Sequence, residues 1–421
     1  MLFSFELYSQ EYSSHMNYQE VLDYMYAQLP MFHRVGPAAY KPGLDNTYAL
    51  LEIVGNPHLG LKCVHIAGTN GKGSTSHLIA SSLQEAGYKI GLYTSPHLKD
   101  FRERMKINGA MISEADVTAF VNLFARQWEK IQPSFFEINV AMCFWFFSKE
   151  KTDIAVIETG LGGRLDSTNV ITPEVSVITN IGMDHMNLLG DTIEQIAFEK
   201  AGIIKQNIPI VIGTMRSDAR EIMKQKAHDC KAHLYDSSLR DLADIPDSEL
   251  KGMYQIENRK TAFVTLQTLI SQGYSITKQN IENGFERVVM NTGLMGRWQV
   301  LGENPLVIAD VAHNEDGLNY VLRQLENTPH DHLHFVIGLV ADKDVDRVLK
   351  LLPTSATYYF CKADIPRGLD SVLLATRAAT FNLTGESFAS VKSAFENAKR
   401  KAQKNDLVFI GGSVFTVAEV L

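Results

Sequence analysis

Cysteine is scarce in this chain. Its four residues, Cys63, Cys143, Cys230 and Cys361, lie far apart and fit neither a metal cluster nor a disulfide framework. Three of them sit in apolar runs as small core residues, and a reducing, cytoplasmic setting is expected. Long apolar runs are missing too; none approaches the roughly 20 residues that cross a bilayer. The first 33 residues contain no Lys or Arg, so neither a secretory nor a transit peptide is expected, and Met16 is a candidate second start codon. An excess of positive charge is also absent. The formal net charge of −8 argues against a nucleic-acid or lipid-surface binder, which needs a basic face; anionic small molecules stay open. There is no internal repeat, no low-complexity tract and no left-over apolar stripe, so a monomer is expected. With 421 residues, 45% of them hydrophobic and 21% charged, the chain has the make-up of an ordinary soluble protein of two or three domains.

One stretch carries most of the chemistry. An apolar run, Cys63 to Ala67, reads as a buried strand. It breaks into Gly68-Thr69-Asn70-Gly71-Lys72-Gly73-Ser74-Thr75, and a helical pattern follows over 76–86. Strand, glycine loop and helix in that order make an anion cradle: backbone N–H groups converge, the helix dipole adds to them, and Lys72 supplies a point charge. The strict Walker pattern fails at two places. The first glycine lies four residues before the lysine, and Gly73 stands where a hydroxyl is usual. A nucleotide triphosphate is the expected ligand.

Strands alternate with helices on both sides of this loop. Tyr88 to Tyr93, Ile154 to Ile157, Val175 to Thr179 and residues 208–212 read as strands, and 113–130 and 192–201 as helices. Phe135 to Phe147 is apolar on every side and reads as a buried helix. Residues 35–45 read as a loop, 101–112 as irregular or a hairpin, and 229–250 as surface connections. Helices follow near 257–271 and 277–286. After residue 298 the alternation restarts, with strands at 306–309, 334–338, 356–360 and 407–410 and helices at 316–325, 344–352, 370–380 and 390–403. The expected fold is α/β: a P-loop, doubly wound, mostly parallel sheet domain over residues 1–298, then a smaller Rossmann-like α/β domain over 299–421.

A triphosphate needs a divalent cation, and hard cations take oxygen ligands with an occasional imidazole. Ser95, Glu158 and His185 follow strands, where an α/β sheet gathers its ligands. Singly, Glu158 reads equally well as a solvated acid, and His185 reads more readily as a structural histidine; together, beside a phosphate loop, they favour metal binding. Gly160 to Gly163, with Arg164, Asp166 and Asn169, form a glycine-rich excursion suited to wrapping a ligand or to a plain turn. Lys200, late in a helix, reads as a dipole-complementing surface charge. Arg297, Asp310, His313, the stretch 338–344 and Gly411-Gly412-Ser413 sit at comparable places in the second half.

In order and spacing, AGTNGKGST, TSPHL, ETGLGGRLDSTN, TNIGMDH and EKAGIIK resemble the folylpolyglutamate synthases and bifunctional dihydrofolate synthases, relatives of the Mur-type peptidoglycan ligases. The resemblance runs on through GMYQIEN, GR at 296–297, DVAHN, the DKD of 342–344 and the last GGS. It implies ATP-dependent amide formation through an acyl phosphate, with dihydropteroate or a folate as acceptor and L-glutamate as the amine. It implies that Gly68 to Thr75 hold phosphates, and that Ser95, Glu158 and His185 ligate magnesium. By the same resemblance Lys200 is the lysine the family carbamylates for a second Mg2+, and Asp166 contacts the pterin. Asn258, Arg297, Asp310 and His313 then contact the nucleotide, and the second domain binds glutamate. Tyr254 stands where His is common, Val311 and Glu315 where Gly and Pro are common, and Val140 where Thr is. The nearest rival is a related ligase acting on another carboxylate; a P-loop switch lacks its Asn-Lys-x-Asp motif here.

Overall fold

Residues 15–30, 43–341 and 345–421 are described by the computed structural model. Two sheets organise them. The first contains β1 (Cys63–Ala67), β2 (Ile90–Tyr93), β3 (Met105–Ile107), β4 (Ala110–Met111), β5 (Ile154–Glu158), β6 (Val175–Ile178), β7 (Ile210–Ile212) and β8 (Leu234–Asp236). Their order is β4-β3-β2-β5-β1-β6-β7-β8. Pairing is parallel except at β3, which runs antiparallel to both β2 and β4. β1, β5 and β6 are buried along their whole length. Strands covered on both faces have no need of polar alternation, hence their unbroken apolar runs. β1 lies between β5 and β6. The chain leaves β1 toward β2 on one side and leaves β6 toward β7 on the other, which opens a crevice at their carboxyl ends.

The helix Lys72–Glu85 begins inside the glycine loop, four residues earlier than its apolar pattern suggests. Gly71 is its N-cap at φ 84°, a left-handed conformation open to glycine. Ser, Ala and Thr let a second helix, Lys278–Glu286, approach closely: Ser81 Oγ donates to the Gly284 carbonyl at 2.6 Å. A Cβ at Gly284 would fall 2.4 Å from Ser82 Cα. On the opposite face the helix Phe135–Lys149 is buried among Phe120, Trp128 and Met105, as its all-round apolarity implies.

The second sheet holds β9 (Gln299–Glu303), β10 (Leu306–Ala309), β11 (Leu333–Ile337), β12 (Thr357–Cys361), β13 (Thr384–Phe388) and β14 (Leu407–Gly411), in the order β13-β12-β11-β14-β10-β9. Only β9 is antiparallel there. Both sheets have the α/β, mostly parallel architecture that the alternation implies.

Three strands escape the sequence pattern. β8 is three half-buried residues in a segment that reads as surface connection. β9 is an edge strand whose register with β10 shifts between Val307 and Ile308. β13 (TGESF) is exposed for four of its five residues, so it carries no apolar signature between the two helices expected at 370–380 and 390–403. The segment 101–112 is a hairpin, β3 and β4. Most of the loop expected at 35–45, and the DKD of 342–344, lie outside the described residues. All four cysteines are buried and unpaired, Cys230 included.

Candidate active site

A cleft of about 410 Å³ opens at the carboxyl ends of β1, β5 and β6 and is closed from above by the second sheet. Of the residues singled out from the sequence, Gly68, Thr69, Asn70, Gly71, Lys72, Gly73, Ser74, Ser95, Glu158, Asp166, His185, Lys200, Asn258, Arg297, Asp310 and His313 all line it. Thr75 does not. It is fully buried behind the loop, with its hydroxyl lacking a hydrogen-bond partner, because the helix has already turned that position toward the sheet.

The glycine loop is seated by the end of β6. Asn70 N–H donates to Asn180 Oδ1 at 2.7 Å, and Thr179 Oγ1 donates to the Asn70 carbonyl at 2.6 Å. Thr69 Oγ1 donates to the Gly182 carbonyl at 3.1 Å. Two loop glycines are required by close approach: a Cβ at Gly68 would lie 1.9 Å from Thr179 Oγ1, and one at Gly71 would lie 2.2 Å from Asn258 Oδ1. Gly73 lets two side chains approach the loop: a Cβ there would be 3.3 Å from Arg297 Nη2 and 4.0 Å from Glu158 Oε2. Below the loop, Gln255 Nε2 donates to Ser74 Oγ at 3.1 Å, and Asn258 Nδ2 donates to Gln255 Oε1 at 2.8 Å.

Two lysines converge on one carbonyl. Lys72 Nζ and Lys200 Nζ each donate to Gly68 O at 3.0 Å. The surface charge that composition suggested for Lys200 is overturned, because its residue is only 4% exposed. The loop around Gly163 packs on its helix so closely that a Cβ there would meet Lys200 O at 2.8 Å. Burial first, and the Lys72 charge second, push the Lys200 amine down to about 7, against the pull of Asp184 and Asp166. Glu158, the last residue of β5, is pushed up to about 7 by burial, opposed by Lys72, by the Ser95 N–H at 3.3 Å and by Arg297. A buried carboxylate with so little donation is electrostatically suited to a cation. Among the described residues no group of three or more His, Cys, Asp and Glu side chains could hold a metal ion. The set Ser95, Glu158, His185 and Lys200 contributes only two residues of those types, and Lys200 presents a proton donor as it stands.

Two acids are already committed. Asp166 accepts from Gly160 N and Leu161 N at 2.9 and 2.8 Å, and from Thr168 N and Oγ1 at 3.0 and 2.5 Å. Thr168 Oγ1 in turn accepts from His65 Nε2 at 2.8 Å, and burial keeps His65 neutral, near 3. Asp166 is therefore a staple for the glycine-rich loop. Asp310 accepts from Tyr254 Oη, Trp298 N and Ala312 N at 2.5, 2.7 and 2.8 Å. Its carboxylate ties Tyr254, at the start of the helix Gln255–Ser271, to the second sheet rather than pointing free. Tyr254, which departs from the common His, makes one of these bonds.

Several lining residues were not singled out. Phe135, Phe136, Leu161, Leu165 and Leu189 build an apolar wall next to the phosphate loop. Buried Arg104 sits 5.5 Å from the centre of the Phe135 ring and donates from Nε to His97 Nδ1 at 2.8 Å. Asn314, just outside the lining, bonds two residues within it, Asn70 and Asp184. Their signal was weak: an arginine in a segment read as irregular, and aromatics inside a helix whose apolarity marks core.

Family models place this arrangement. The Mur ligase middle domain matches residues 66–300, and the Mur ligase glutamate ligase domain matches residues 296–414. The dihydrofolate synthase/folylpolyglutamate synthase of Bacillus subtilis is 33% identical over 413 residues, 90% of this chain and 94% of its own. This chain belongs to that family of Mur-type ligases. A probable bifunctional folylpolyglutamate synthase/dihydropteroate synthase of Haloferax volcanii is 32% identical over 435 residues; the match covers 96% of this chain but spans only half, 50%, of that longer protein. Among solved structures, a bifunctional folylpolyglutamate synthase/dihydrofolate synthase with Mn, AMPPNP and L-glutamate bound superposes with a TM-score of 0.82 at 29% identity, covering 96% of this chain and 97% of that one. The family comprises ATP-dependent glutamate ligases of folate metabolism.

Proposed function

We propose that this chain joins L-glutamate to the carboxylate of dihydropteroate, or of a reduced folate, and converts ATP to ADP and phosphate. One observation carries the reading: a single cleft has a phosphate-binding half and an aromatic, apolar half, with the second sheet above both. A flat pterin acceptor fits the wall of Phe135, Phe136 and Leu161, and its carboxylate then faces the loop. The relatives named above act on, or were captured with, these substrate classes.

A carboxylate is a poor electrophile, so it is activated first. Its oxygen attacks the γ-phosphorus of ATP, the bond to the β-phosphate oxygen breaks, and ADP leaves. The glutamate amine then attacks the acyl carbon, the bond to phosphate breaks, and the amine proton is released. The N–H groups of Gly71 to Ser74 at the helix start and the Lys72 ammonium hold phosphate oxygens and offset charge on the transferring group, while those of Thr69 and Asn70 are spent on Asn180 and shape the loop. Arg297 lies over Gly73, close enough to reach the same oxygens. Ser95 Oγ, Glu158 and His185 would hold Mg2+, and Lys200 would serve a second; the cation supplies charge neutralisation on the phosphates.

Lys200 fits that role chemically once carbamylated. A neutral amine is needed to add to CO2, losing a proton and leaving a carboxylate-like oxygen pair, and burial favours that neutral amine near pH 7. Asn258, Asp310 and His313 are assigned to framing the nucleotide, Asp310 indirectly through Tyr254 and Trp298. Asp166 is assigned to shaping the folate side through its loop. We divide the chain into a nucleotide domain, 1–298, and a glutamate domain, 299–421, acting as a monomer. Four buried, unpaired cysteines fit a cytoplasmic location, and no described helix is long and apolar enough to cross a membrane.

The test is incorporation of radiolabelled glutamate with ATP, Mg2+ and either dihydropteroate or tetrahydrofolate. Incorporation with at least one acceptor is expected. ATP binding without incorporation into either acceptor would overturn the folate assignment and leave a ligase of another acid.

A further inference from the structure

The seat of the phosphate loop and the placement of the second sheet meet at one side chain. Asn314, 7% exposed, is the N-cap of the helix Glu315–Asn327, where its Oδ1 accepts from Gly317 N at 3.0 Å. The same Oδ1 accepts from Asn70 Nδ2 at 3.0 Å. Its Nδ2 donates to Asn70 Oδ1 at 3.0 Å and to Asp184 Oδ2 at 3.1 Å. Both amide protons and both oxygen lone pairs are used, and the three partners come from three segments. Asn70 belongs to the phosphate loop, Asp184 precedes the candidate metal ligand His185, and Gly317 belongs to the second unit. A cap alone asks for an oxygen and accepts Asp, Ser or Thr as readily. Two outgoing donors at the same position ask for an amide.

The contact around it is tight. A Cβ at Gly182 would lie 2.0 Å from Asp316 Oδ2, and Gly182 is itself bonded to Thr69 of the phosphate loop. A shift of the Glu315–Asn327 helix therefore acts directly on Asn70 and Asp184. Asn70 keeps its loop position without Asn314, because Asn180 and Thr179 hold its N–H and carbonyl. Asn314 is thus dispensable for seating the loop and central to seating the second unit over it.

We propose that Asn314 is a positioning residue that locks the second unit onto the loaded phosphate loop, so that the amine arrives where the activated carbonyl forms. The inference rests on the ligase reading above. Without the lock the first half-reaction proceeds, while the activated acceptor waits longer for glutamate and is lost to water.

Asn314→Ser keeps a capping oxygen but cannot reach Asn70 or Asp184. Asn314→Asp keeps cap and shape but sets a carboxylate against Asp184. For each, ATP affinity, the glutamate KM and ADP released per amide formed are measured beside the unfolding temperature. The expected result for both is ATP affinity within about threefold of wild type, a glutamate KM raised at least tenfold, and more than one ADP released per amide. An unchanged glutamate KM with one ADP per amide overturns the proposal, as does an ATP affinity that falls by the same factor as glutamate use. If Asn314→Ser does not fold, the isosteric Asn314→Asp decides alone by the same two readouts. Wild-type protein that ligates neither acceptor counts against the ligase reading and is separately recognised.

Discussion

Replacing Lys200 by Met should abolish ligation and at the same time stabilise the ligand-free protein. The amine is moved from an ordinary value of 10.5 to about 7 by burial and by Lys72. At about 1.4 kcal/mol per pH unit, that displacement sets a ceiling of about 5 kcal/mol on what burying it costs the folded state. Met gives up the hydrogen bond to Gly68 O, worth about 1 kcal/mol, but Lys72 still satisfies that carbonyl. A net gain of up to about 4 kcal/mol remains. With about 2 cal/mol/K of unfolding entropy per residue over 421 residues, this raises the melting temperature by roughly 4 to 5 °C. The sign with pH follows from linkage. Between pH 7 and 10.5 the unfolded lysine holds a proton that the folded one lacks, so wild-type stability falls as pH drops through that window and the penalty is constant below it. The variant's advantage should be full at pH 6.5 and fade toward pH 10.5. Denaturant titrations in chelator and CO2-free buffer at three pH values measure it. A variant no more stable than wild type at pH 6.5, with no trend toward high pH, would refute the buried-amine reasoning.

Lys200→Ala should likewise lose ligation and regain part of it with added short carboxylates; full activity without them would remove the metal-bridging role. Glu158→Gln keeps shape and loses charge, so ATP should still bind while ligation slows by about a hundredfold or more, a few kcal/mol of transition-state stabilisation; unchanged ligation takes the cation away from Glu158. Gly71→Ala forces a side chain into φ 84° and against Asn258 Oδ1, with an expected stability loss of about 1–3 kcal/mol and weakened ATP binding by calorimetry. Thr75→Val removes a buried hydroxyl that has no partner; stability should hold or rise by up to about 1 kcal/mol with ATP affinity unchanged, and a lost nucleotide site would return Thr75 to the phosphates.

Sequence legibility followed burial. β1, β5 and β6 are covered on both faces, and their apolar runs and polar ends mark the loop, Glu158 and Thr179 in the sequence itself. β13 sits at an exposed edge where pairing comes from the backbone, which leaves no trace in side-chain type. The same holds at the site. Lys72 and Gly68 announce themselves through spacing, whereas the burial of Lys200 depends on Gly163 closing over its helix from 37 positions away in sequence. Asp166 and Asp310 look like free acids in a sequence; only the folded chain reveals four donors on one and three on the other. Asn314 is one letter in a short motif, and its three partners meet only when both sheets are in place.

Transfer of oxygen tests the central claim most directly. Dihydropteroate, or tetrahydrofolate, labelled with 18O in its carboxylate is incubated with the enzyme, ATP, Mg2+ and glutamate, and the released phosphate is analysed by mass. Activation through an acyl phosphate moves one labelled oxygen into phosphate for each amide formed. Amide formation with unlabelled phosphate would contradict it.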